Sequence, residues 1–202
     1  MNRLEQLDTT LVRLAPEQIK RLSHMFPLLQ LAGEIAHANV TIYIPARPPN
    51  SMLVAAQVRP NTSLLRYRPS QVGCLVRAVE EPLVWRTMVS GEAVSGQREW
   101  ALGQDRLDMY TFAVKDDAGA VIAVISFEGN SDEPASNGQV LLNAAYHLLL
   151  SVKEPPDPAL YRGLTAHDGI LIADSNGNIL TANVAARSIY RVLGLSQLVG
   201  RR

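Results

Sequence analysis

The residues that carry most metal and redox chemistry are few here. His24, His37, His147 and His167 fall on separate segments with no i, i+4 pair that would build a metal site on one helix face. Cys74 stands alone, so neither a zinc clip nor a redox couple of two thiols can form. It fits a thiol sensor if a nearby cation lowers its pKa, or a small core residue on a helix. Ser, His and Asp all occur, yet no G-x-S-x-G elbow singles out a nucleophile, and neither G-x-G-x-x-G nor a P-loop is present. No catalytic residue, metal or cofactor is expected. Recognition chemistry is better represented. In Arg59-Pro60-Asn61-Thr62 the planar guanidinium can hold a phosphate or carboxylate, although the same four residues also make a turn. Arg66, Tyr67 and Arg68 can stack and clamp a nucleotide-like ligand, or form a solvated loop. Trp85, Trp100 and Tyr110 fit either a cup lining or plain core.

The chain of 202 residues, 47% of them hydrophobic, has room for one substantial core and a second, smaller unit. Nineteen basic residues against nineteen acidic ones leave no net field for a nucleic acid or an anionic membrane. The apolar run Leu141 to Val152 is interrupted by Asn143, Tyr146, His147 and Ser151 and is shorter than the ~20 residues that cross a bilayer. The first residues lack the apolar region of a secretion signal, and a lone cysteine suits a reducing compartment, so a cytoplasmic address is expected. The glycosylation-like triplets at Asn39 and Asn61 are therefore set aside.

Leu4, Leu7, Leu11, Val12 and Leu14 recur at helical spacing, and Pro16 suits the first turn of a following helix whose apolar stripe Pro27 should kink or break. Val40 to Ile44 and Met52 to Val58 read as a hairpin across the breaker-rich stretch 45–50. Val72, Leu75, Val76 and Val79, then Leu83, Val84, Thr87 and Met88, predict two helical stripes closed by Gly91. Met109 to Val114 and Val121 to Phe127 form a second hairpin around Asp116-Asp117-Ala118-Gly119. A polar loop precedes a helix over Val140 to Lys153, whose apolar stripe is wide enough to pair with a second copy. The prolines of 154–159 then separate 1–153 from 160–202 as a linker. Gly169 to Asp174 and Asn178 to Thr181 form a third hairpin, and Asn183 caps a helix that Gly194 stops.

A hairpin, two helices, a hairpin and a closing helix is the element order of GAF-like sensor domains. Val54-Ala55-Ala56-Gln57-Val58-Arg59-Pro60-Asn61-Thr62, with Glu81-Pro82-Leu83 and Ala120 to Val124, resembles the N-terminal GAF-like domain of a sensor histidine kinase family. Asp168 to Asp174, Gly177 to Leu180 and Asn183 to Ala186 are similar to the opening hairpin and helix of PAS domains, the unit that comes next in that family. The resemblance implies an α+β fold, a GAF-like antiparallel sheet with packed helices followed by an incomplete PAS segment over 160–202. It implies a sensory input region of a two-component histidine kinase, working as a homodimer upstream of a kinase core and a response regulator. The phosphoacceptor and ATP-binding parts are not in this chain, so the region itself is not expected to be an enzyme. Tyr43, Arg59, Asn61, Arg68, Trp85 and Tyr110 are the residues expected to line a small-molecule cup. The alternative is a dimerisation platform whose cup is filled by side chains.

Overall fold

A computed structural model describes residues 9–60, 70–99, 106–129, 135–154, 164–165 and 167–201. Helix α1 (Pro16–Met25) opens on a proline whose missing N–H costs nothing in the first turn, and the Ala15 N–H donates to Gln18 Oε1 at 2.9 Å. Pro27 lies in a three-residue 3₁₀ turn (Phe26–Leu28), which separates α1 from α2 (Leu29–Ala36) as the sequence predicted. His37, in the left-handed region at φ 49°, ends α2. The helix expected over 4–14 is not found among the described residues. Thr9–Leu11 make a short 3₁₀ turn, and Val12 is extended in a bridge to Ala46.

The centre of the fold is a six-stranded sheet built from β1 (Asn39–Pro45), β2 (Ser51–Val58), β3 (Leu75–Arg77), β4 (Val94–Glu99), β5 (Arg106–Lys115) and β6 (Val121–Gly129). The order is β3-β2-β1-β6-β5-β4, with every neighbouring pair antiparallel. The turn between β5 and β6 is held by Asp116, whose Oδ1 accepts from the amides of Ala118 (3.0 Å) and Ala120 (2.9 Å), with Gly119 at φ 81°.

Two layers cover the two faces. On one, Leu22, Met25, Leu29 and Ala32 of α1 and α2 join Leu142, Ala145 and Leu149 of α4 (Ala135–Leu150) over Val40, Ile42, Ile125 and Phe127. On the other, Val84 of α3 (Pro82–Ser90) packs with Tyr43, Val54, Met109 and Val124, and Gly91 at φ 70° caps α3 as expected. A third hairpin, β7 (Leu171–Ala173) and β8 (Ile179–Ala182), precedes α5 (Val184–Val192). Asn183 caps α5 by accepting from the Ala186 amide at 2.9 Å.

Four expectations are corrected. The stripe at Val72 to Val79 is not a helix: three of its residues form edge strand β3, paired to β2 through Leu53↔Leu75 and Ser51↔Arg77. The element order therefore has one helix, α3, between the first two hairpins. Cys74 is exposed in the turn before β3 instead of lying in a helix core. Strand β4 was not foreseen, because Ser95, Gly96 and Gln97 give it a polar interior that only pairing with β5 makes extended. Helix α4 begins five residues earlier than expected and ends at Leu150, and its apolar stripe is spent on its own sheet, where Leu149 and Ala145 are fully buried.

Candidate functional site

The α3 face of the sheet changes character along its strands. Where Tyr43, Val54 and Val124 meet Val84, it is apolar and closed. Side chains alternate in a strand, so Thr41 and Ser126 share the face of Tyr43 and Val124 two positions away, while in β2 a register shift brings Gln57, three positions after Val54, to the same face. Those positions are polar. Register places Gln57 of β2 opposite Thr41 of β1, Thr41 opposite Ser126 of β6, and Ser126 opposite Thr111 of β5. A row of four hydrogen-bonding side chains thus crosses four strands, and the next row brings Asn39 opposite Glu128.

These groups are out of water. Thr41, Ser126, Thr111 and Glu128 are all at most 4% exposed. One end of the row is satisfied: Thr111 Oγ1 donates to the Val94 carbonyl at 2.9 Å and lies 2.7 Å from Thr87 Oγ1 of α3. At the other end Gln57 Nε2 reaches Thr41 Oγ1 at 3.4 Å, while Gln57 Oε1 accepts from the Gln71 amide at 3.1 Å. The middle is not satisfied. Among the described residues, Ser126 Oγ in the row, Asn39 Oδ1 in the next row and Gln71 Oε1 beside Gln57 are buried without a hydrogen-bond partner. A buried orphan of this kind costs about 1–3 kcal/mol, so three around one polar row mark a place where the fold gives up stability. Sequence reasoning missed this row, since Thr and Ser at strand positions pass for ordinary β-formers.

Of the six residues expected to line a single cup, Tyr110 lies on the other face of the sheet from Tyr43 and Trp85. Tyr43 is fully buried and Trp85 half-buried in the apolar cluster under α3. Tyr110 lies on the opposite face, against the cluster that α1, α2 and α4 cover. Arg59 follows β2, and its carbonyl accepts from Gln30 Nε2 of α2 at 2.6 Å. Asn61 and Arg68, like Arg66, Tyr67 and Trp100, lie outside the described residues.

On the helical face Phe112 is the hub: its ring stacks on Tyr146 at 4.7 Å and meets Phe127 edge-on at 5.8 Å. The Tyr146 hydroxyl donates to the Ala113 carbonyl at 2.8 Å, and burial pushes its pKa above the usual tyrosine value. This ties α4 to β5. At the far end of the sheet His37 Nε2 lies 3.0 Å from Thr181 Oγ1, connecting the α2–β1 corner to β8 of the third hairpin. Among the described residues no group of three His, Cys, Asp or Glu could hold a metal ion, and no helix is long and apolar enough to cross a membrane.

An antiparallel sheet with α1, α2 and α4 on one face and α3 over a buried polar row on the other defines a GAF-fold sensory domain. The family model of the GAF domain of histidine kinase PdtaS matches residues 4–146. The chain belongs to that family and is a sensory input region of a histidine kinase. Among solved structures, the sensor region of a sensor histidine kinase aligns over 99% of this chain and 72% of its own, at 22% identity and a TM-score of 0.58. The GAF domain of an Acinetobacter phosphoenolpyruvate-protein phosphotransferase aligns over 69% of this chain and 93% of its own, at 13% identity and a TM-score of 0.43. An IclR transcriptional regulator from Alicyclobacillus acidocaldarius aligns over 64% of each chain, at 9% identity and a TM-score of 0.46. No curated protein sequence matches the chain.

Proposed function

We propose that the chain senses a small polar molecule on the α3 face of its GAF domain and passes the state of that face to a following PAS segment. The observation that carries this reading is the buried row Gln57, Thr41, Ser126 and Thr111, in which Ser126 Oγ, and Asn39 Oδ1 in the next row, have no hydrogen-bond partner among the described residues. A filled platform would gain by placing Val or Leu there. Polar groups held dry and unsatisfied are what a hydrogen-bonding ligand completes.

The remaining organisation follows from the same reading. Residues 1–153 form the GAF unit, 154–159 a proline-rich linker and 160–202 the start of a PAS domain, supported by the hairpin β7–β8 and the Asn183-capped α5. The input region acts in the cytoplasm as a homodimer, carries out no chemistry itself, and controls an ATP-dependent histidine kinase core that addresses a response regulator. Val140 and Leu150, exposed on the outer side of α4, are apolar positions available for the dimer contact.

The test is a thermal-shift screen of the 202-residue chain with nucleotides, polyols and small amines, run beside Ser126→Val. A ligand that binds the folded state raises the midpoint by mass action. At least one compound should shift the wild type and lose its effect on Ser126→Val. If Ser126→Val is more stable and no compound shifts either protein, the face is a filled platform and the ligand reading fails. Sedimentation that finds only monomer would remove the homodimer.

A further inference from the structure

Three consecutive residues of β5 tie the two faces of the sheet together. Thr111 faces α3: its Oγ1 lies 2.7 Å from Thr87 Oγ1 and donates at 2.9 Å to the carbonyl of Val94, the first residue of β4. Phe112 points to the other face and stacks on Tyr146 of α4 at 4.7 Å. Ala113 lies past the last β4–β5 pair, Val94↔Thr111, and its carbonyl accepts from the Tyr146 hydroxyl at 2.8 Å. Helices α3 and α4 are thus separated by one strand and joined through it by side-chain hydrogen bonds at both faces.

The bond to α4 differs in kind from the rest of that helix's contact with the sheet. Leu142, Ala145 and Leu149 pack through apolar atoms, and apolar burial has no preferred direction. Helices slide by about 1–2 Å over such surfaces when proteins switch state. A hydrogen bond resists that movement, because it weakens steeply as its angle leaves the optimum. Among the described residues of α4, Tyr146 alone hydrogen-bonds the sheet. The chain leaving α4 is held at one further point: His24 Nδ1 of α1 donates to the Lys153 carbonyl at 2.7 Å, since a carbonyl only accepts.

We propose that Tyr146 is a positioning residue that makes β5 a lever, by which a change at Thr87 and Thr111 on the α3 face moves the end of α4 and the chain leaving it. Only two planar peptide units separate Thr111 from Ala113, so a displacement of the first reaches the second with little to absorb it. This role rests on the α3 face being the sensed one, and it names how the state of that face crosses the sheet.

The experiment compares wild type, Thr87→Val, Tyr146→Phe and the double variant of the 202-residue chain by NMR. It follows the amides of Phe112 and Ala113 on β5 and those of Leu148 to Lys153 at the end of α4. Thr87→Val should shift both groups in the wild-type background. In the Tyr146→Phe background it should still shift the β5 amides and no longer shift those of α4. Tyr146→Phe keeps the ring on Phe112 and loses only the hydroxyl, so amide exchange over Leu148 to Ser151 should quicken about 2- to 12-fold, the size of one neutral hydrogen bond. A tyrosine that only stabilises would lower the unfolding midpoint on substitution and leave the Thr87→Val shifts in α4 intact. Phe112→Leu removes the stack and keeps the hydroxyl bond, so the α4 shifts should persist in it, and it supplies the result if Tyr146→Phe does not fold. Shifts in α4 that survive Tyr146→Phe, that vanish in Phe112→Leu, or that Thr87→Val never produces would each overturn the lever. No ligand enters the cycle, so an empty ligand screen removes the sensing role of the α3 face and leaves this coupling standing.

Discussion

Thr87 and Thr111 share one buried hydrogen bond whose direction follows from a third atom. Thr111 Oγ1 donates to the Val94 carbonyl at 2.9 Å, and a hydroxyl has a single proton. Across the 2.7 Å contact Thr87 must therefore donate and Thr111 accept. The two threonines, 0% and 1% exposed, then fail differently when truncated. Thr87→Val removes a donor and leaves an unused lone pair on Thr111, which still has its own acceptor. The cost is one neutral hydrogen bond, about 0.5–1.5 kcal/mol. Thr111→Val strands the buried Thr87 proton and also takes the side-chain donor from the Val94 carbonyl, so two groups lose partners and the cost rises to about 2–3 kcal/mol. Once Thr87 is valine, Thr111→Val has less left to break, so the double variant should cost less than the sum of the singles. Urea unfolding of the four proteins, by far-UV circular dichroism and with slopes compared before midpoints, gives all three values. A Thr87→Val cost equal to or above that of Thr111→Val would refute the donor assignment, and strict additivity would refute the shared bond.

Asn183 carries more than its cap: Oδ1 accepts from the amides of Ala186 and Ile170, and Nδ2 donates to the Asp168 carbonyl at 2.8 Å. Asn183→Ala should cost at the upper part of the ~0.5–2 kcal/mol known for N-caps, and hydrogen exchange should show opening in α5 and β7 with the six-stranded sheet unchanged. Asp116 should titrate below its ordinary value of 3.8, because the Gln18 side chain and the amides of Ala120 and Ala118 all bond its charged form. A pKa lowered by folding stabilises above the unfolded value and loses that contribution as pH falls through the folded one. Asp116→Asn should accordingly flatten the acid limb of the stability profile below about pH 4. An NMR midpoint for Asp116 at or above 3.8 would contradict the bonding described.

Local signals in the sequence were enough for the long elements. Strands β1, β2, β5 and β6 are runs of branched and aromatic residues ended by turn formers, and the Asp116 turn and the Asn183 cap are made by residues close in sequence to the groups they bond. Pro16 and Pro27 mark where α1 starts and stops for the same reason. Tertiary structure decided the rest. Strands β3 and β4 exist because β2 and β5 present open edges to them, so three residues at 75–77 and a polar stretch around Gly96 become extended only in that company. The stripe of α4 reads equally well as a dimer face, and it was the sheet of the same chain that took it. The parity of strand register sent Tyr110 to the helical face and Tyr43 to the α3 face, dividing residues that composition alone would group. Gln57, Thr41, Ser126 and Thr111 stand on four separate strands between positions 41 and 126 and are unremarkable one by one. Four strands in register bring them into one dry row, because hydrogen-bonded pairing acts between segments and leaves no mark within any of them.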